Sequence, residues 1–144
     1  MCEAVFCSPL SLVKNLDSNS EHVNGIHAGV TTNGSALTPK NAERTVLARP
    51  FNVNISCDAP NAEVHDYVRG SKGLFDKLSK GVKYLREYQE THGISFPIIM
   101  KPTVHKYSFR LLPEIVEWAQ RLGATAVNFQ PLDRFSMGLK LLGG

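Results

Sequence analysis

Hydrophobic and polar positions along this chain follow two periods in turn, and the turns predict a repeating unit. Phe51, Val53 and Ile55 fall on one side of an extended segment, with Asn52, Asn54 and Ser56 on the other. A period of two is the mark of a strand in a sheet. Phe75, Leu78, Val82 and Leu85 recur at spacings of three and four, while Lys77, Lys80, Lys83, Glu87 and Glu90 take the opposite side. That is a helix with one inward face, and His92-Gly93 stops it. Further strands are predicted over residues 27–32, 97–104 and 126–130. Thr38 is a good N-cap with Pro39 after it, so a helix starts there, turns Ala42, Thr45 and Val46 inward, and ends at Arg49-Pro50. A third helix carries Leu112, Ile115, Val116, Ala119 and Leu122 and ends at Gly123, with Pro113 in its first turn. Residues 58–73 read as a polar loop.

Strand, helix, strand, helix, strand, helix, strand is the order of parallel βα units with right-handed crossovers, so the fold class is α/β. The strand faces carry a second message. Asn52, Asn54 and Ser56 share a side, as do Gly29 and Thr31, Lys101 and Thr103, and Asn128 and Gln130. An open doubly wound sheet covers both faces with helices and needs both apolar. A barrel covers one face only. Two readings remain: a cavity for a polar ligand, or a sheet with one face in water. A closed eightfold barrel takes about 250 residues, so a chain of 144 residues is expected to form a partial (β/α) barrel of about four parallel βα units. Four strands cannot close, and the unpaired edges would suit a complementary chain or a second copy.

Composition narrows the classes. The chain is 42% hydrophobic and 20% charged with a net charge of +3, which is globular and gives no basic footprint for nucleic acid. No run of about 20 apolar residues is present to span a membrane, and the first residues lack the basic start of a secretion signal; a cytoplasmic location is expected. Cys2, Cys7 and Cys57 have no paired spacing, so neither a disulfide framework nor a zinc site is expected. The five histidines are scattered and read as surface residues, and no metal ligand or catalytic residue is assigned. No phosphate loop or nucleophile elbow occurs. Residues 1–25 are poorly patterned, 26–133 form the βα core, and 134–144 form a tail.

Chemistry in βα proteins gathers at the C-terminal ends of the strands. Those ends read Thr32-Asn33-Gly34, Ser56-Cys57-Asp58, Val104-His105 and Gln130-Pro131-Leu132. Asp58 can accept hydrogen bonds from two hydroxyls, as a ribose offers; it can also simply form the turn before Ala59-Pro60. Arg69 can clamp a carboxylate through its fork, or pair with Asp66 or Glu63 on the surface.

As an ordered set, Thr32-Asn33-Gly34, Asn54-Ile55-Ser56-Cys57-Asp58-Ala59, His65-Asp66-Tyr67-Val68-Arg69-Gly70, Phe75, and Asn128-Phe129-Gln130-Pro131-Leu132 resemble the radical S-adenosylmethionine (SAM) core. The likeness is to the subgroup of peptide and sulfatase maturases and molybdenum-cofactor cyclases. The resemblance implies a partial (β/α)₆ barrel and reductive cleavage of SAM by a 4Fe–4S cluster. It implies that Ser56 and Arg69 contact the SAM carboxylate or ribose with Asp58 nearby. Thr32 and Asn33 would line the same cavity, and Gln130 and Leu132 would lie near the adenine. Glu3 in Met1-Cys2-Glu3-Ala4 matches one position of the Gly-Gly-Glu-Pro stretch that grips the SAM amino group. The family's C-x-x-x-C-x-x-C cluster motif does not occur in the sequence. The expectation is a radical SAM core lacking its first βα unit and inactive alone; the alternative is a noncatalytic βα module that binds SAM or a nucleotide, or docks to a partner.

Overall fold

The computed structural model describes residues 28–132. Strands β1 (Val30–Thr32), β2 (Val53–Cys57), β3 (Ile98–Val104) and β4 (Ala126–Val127) form a parallel sheet in that order. A last short strand, β5 (Gln130–Pro131), pairs with the end of β3. Between the strands lie α1 (Pro39–Leu47), α2 (Ala62–Arg69), α3 (Leu74–His92) and α4 (Leu112–Arg121), the last entered through a 3₁₀ turn at Phe109–Leu111. The expected α/β architecture is present. The sheet is open among the described residues, and no helix among them is long and apolar enough to cross a membrane.

Register explains the layering. Val53 is paired with Ile98, Ile55 with Met100 and Cys57 with Pro102, so these side chains share one face. All six are fully buried. Against them pack Ala42 and Val46 from α1, Leu78, Val82 and Leu85 from α3, and Trp118 and Ala119 from α4. Each buried valine, leucine or isoleucine among them contributes about 1.5–3 kcal/mol by leaving water. Neighbours in register on the other face are Thr31 with Asn54, Ser56 with Lys101, and Thr103 with Gln130. The apolar core cluster gathers on the first face, and the second is left half-open.

Local chemistry sets the ends of the elements. The Thr38 hydroxyl accepts the Asn41 N–H at 3.3 Å and starts α1; Gly93, in the left-handed region at φ 62°, stops α3. Gly34 has φ 80°, and a Cβ there would lie 2.7 Å from the Leu78 Cα. The turn after β1 thus needs glycine twice over, for its backbone and for the approach of α3.

Four expectations are corrected. The supposed loop over residues 58–73 contains α2, which starts where the Asn61 carboxamide accepts the Val64 N–H at 3.0 Å and ends at Gly70 with φ 61°. The strand expected over 126–130 is two pieces. Asn128 donates its N–H to Met100 O at 2.8 Å, and the chain then bends to rejoin β3 at Thr103 and Val104. The predicted strand over 51–56 lies two residues later at its start, with Phe51 exposed. Finally, His65 is no surface histidine: it is fully buried, packed 5.8 Å from the Phe75 ring.

Candidate functional site

Beyond Cys57 at the end of β2 the chain bends, and α2 folds back over the bend. The result is a small buried cluster. Arg69 Nε lies 2.5 Å from Asp58 Oδ2, with the Asp58 side chain 4% exposed and that of Arg69 31%. His65 Nδ1 accepts the Asp58 N–H at 3.1 Å. Residues 65 and 69 stand four apart on α2, so one helix face delivers both to Asp58. The partner of Arg69 is therefore Asp58, and the surface pairing with Asp66 or Glu63 is not the one formed. The Asp66 carboxylate instead accepts the N–H groups of Gly73 and Phe75 at 2.5 and 2.9 Å, joining α2 to the start of α3.

Electrostatics follow from this packing. Burial lowers the His65 pKa, against the pull of the Asp58 carboxylate, so the ring is neutral near pH 7. Burial first, then the adjacent Asp58 carboxylate, push the Cys57 thiol up to about 12, so it stands as a neutral thiol near pH 7. Some burial raises the Asp66 carboxyl, but the N–H donors of Phe75 and Gly73 outweigh it and hold it below the usual carboxylate range. Two polar atoms of the cluster are buried without a partner: Asp58 Oδ1 and His65 Nε2.

The other sequence candidates fall into two groups. Ser56 is half-buried on the open face, beside Lys101 in register, and Gln130 lies on that face next to Thr103. Leu132 follows β5 with its side chain exposed, its N–H on Val104 O. Thr32 instead shares the helix-covered face with Ile55, is buried, and accepts the Gly34 N–H at 3.1 Å. Asn33 Oδ1 accepts from the N–H and hydroxyl of Ser35 at 3.0 and 2.7 Å, which shapes the turn after β1. Glu3, Cys2 and Cys7 lie outside the described residues. A groove of about 560 Å³ lined by Glu63, Asp66, Tyr67 and Lys72 includes neither Asp58 nor Arg69, and none of the unpartnered buried polar atoms belongs to its lining.

No protein-family model matches the chain. Known proteins do. An AdoMet-dependent heme synthase of Methanosarcina barkeri is 33% identical over 104 residues, 72% of this chain and 28% of the relative. The mycofactocin maturase MftC of Mycolicibacterium smegmatis is 35% identical over 101 residues, 69% of this chain and 24% of its own length. The crystal structure of Streptococcus suis SuiB bound to S-adenosylmethionine shares the fold, with a TM-score of 0.63 over 79% of this chain and 25% of that one, at 16% identity. This chain carries a radical SAM core in part. It spans about a quarter of the length of the curated relatives it matches.

The residues fit one of the two radical SAM cofactors and not the other. For SAM they fit. The orphaned Asp58 Oδ1 needs a donor such as a ribose hydroxyl, the guanidinium of Arg69 keeps N–H groups beyond the one used on Asp58, and Ser56 adds a hydroxyl on the open face. For a 4Fe–4S cluster they do not. Among the described residues no three His, Cys, Asp or Glu side chains converge to hold a metal, and Cys57 is a buried thiol.

Proposed function

We propose that this radical SAM core binds S-adenosylmethionine at the C-terminal end of β2, and that the cluster thiolates of the complete site come from outside residues 28–132. The observation that carries the reading is the Asp58–Arg69 pair, buried beneath α2 with one carboxylate oxygen left unpartnered. A buried acceptor without a donor costs about 1–3 kcal/mol, and a ligand hydroxyl removes that cost. Asp58 holds the ribose; Arg69 and Ser56 take the carboxylate; Leu132 covers the adenine with Gln130 beside it; Asn33 borders the mouth at the turn after β1. SAM, when bound, supplies the activated sulfonium that family members cleave. The chain's own residues bind and orient it.

Calorimetric titration of the whole chain with SAM tests the reading. Wild-type protein is expected to bind, and Asp58→Asn and Arg69→Met to bind at least about tenfold more weakly, the worth of one charge-assisted hydrogen bond. Absence of heat at millimolar SAM, or equal affinity in all three proteins, would overturn it.

A further inference from the structure

His65 is fully buried, and the SAM reading gives it no contact with ligand. Its geometry is nonetheless specific. The Nδ1 atom accepts the backbone N–H of Asp58 at 3.1 Å, so the ring proton of the neutral imidazole sits on Nε2. That amide belongs to the residue whose carboxylate meets Arg69. The ring is wedged between the bend after β2 and the Phe75 ring at the start of α3. Nδ1 is the acceptor that the fold brings to the Asp58 amide, while the Nε2 proton is buried without a partner, so the ring is held at this end by the one hydrogen bond at Nδ1.

We propose that His65 is the positioning residue of the site: its unprotonated Nδ1 pins the Asp58 amide, and this fixes the bend that sets the Asp58 carboxylate on Arg69. The proposal rests on the SAM reading for its consequence, though not for its geometry. Proton uptake at Nδ1 turns the acceptor into a donor that faces another donor, so the pin is lost in acid. The charged groups facing the ring are the Asp58 carboxylate, the Arg69 guanidinium and the Asp66 carboxylate; α3 presents the Phe75 ring. Burial keeps the folded-state pKa of His65 below the ordinary 6.5. Its contribution to stability is therefore complete above the ordinary value and is lost as pH falls from there through the folded one.

Two substitutions separate pinning from mere filling. In His65→Asn the carboxamide oxygen can replace Nδ1 as acceptor; in His65→Leu nothing can. The first readout needs no ligand. Hydrogen exchange of the Asp58 amide should stay slow in wild type and His65→Asn and speed up about tenfold or more in His65→Leu, the loss of one buried hydrogen bond. SAM affinity, measured by calorimetry, should fall in the same order. The affinity of wild type should weaken as pH drops below the ordinary histidine range, and this acid limb should be missing in His65→Asn. Equal exchange in wild type and His65→Leu overturns the proposal, as does an acid limb that persists in His65→Asn. If His65→Leu does not fold, the comparison of wild type with His65→Asn across pH still decides. If no protein binds SAM while the amide exchange follows the expected order, the SAM reading falls and the pin stands.

Discussion

The two faces of the sheet obey the same alternation and do opposite work. On one, Val53, Ile55, Cys57, Ile98 and Met100 are shut away beneath the helices; on the other, Asn54, Ser56, Lys101 and Thr103 stay half-open. The covered face gains its free energy from water excluded around apolar atoms, so its shape matters everywhere. The open face gains little and is free to carry ligand-binding groups. A fold of this kind can vary its chemistry on one side of a strand without altering what holds the strand in place.

Substitutions can break that contrast. The largest expected effect is on the covered side. Ile55→Ala should cost about 2–5 kcal/mol, as cavity-forming core changes do, measured by urea denaturation. Arg69→Met comes next. It leaves the buried Asp58 carboxylate without its counter-charge and should cost about 1–3 kcal/mol, less than a fully enclosed pair because the arginine is partly in water. Asp66→Ala removes the acceptor at the start of α3 and should lower the melting temperature by less than Ile55→Ala. The smallest change is expected on the open face: Ser56→Ala should stay within about 0.5 kcal/mol of wild type while weakening SAM. A Ser56→Ala protein as unstable as Ile55→Ala would show that the faces are not divided as described.

The βα order and the division of faces were legible in the sequence because both are properties of local period. Phe75, Leu78, Val82 and Leu85 announce α3, and Lys101 with Thr103 announce the polar side of β3. Asp58 and Arg69 were named as site residues, but their direct pairing was not legible. Asp58 and Arg69 are eleven residues apart, and they meet only because α2 folds residues 62–69 back over the bend. That helix is two turns long, too short for its few apolar positions to show a period. Its signals were the capping pair, Asn61 before and Gly70 after, inside a stretch that composition marks as loop. His65 was misread for a related reason. It stands between Glu63 and Asp66 in a stretch with no visible period, and it packs against Phe75, ten residues on. The relatives that share the radical SAM core confirm the fold class but lend no contact distances; those come from this chain.

The Asp66 carboxylate that ties α2 to Gly73 and Phe75 has a thermodynamic consequence. Arg69 and Asp66 ride on one two-turn helix, so any ligand that holds Arg69 also resists the opening of the first turn of α3. Free energy gained at the mouth of the sheet thereby reaches a helix that packs against the core, as protection from local unfolding. Slower amide exchange at Leu74–Leu78 would then report occupancy of a site that those residues do not touch.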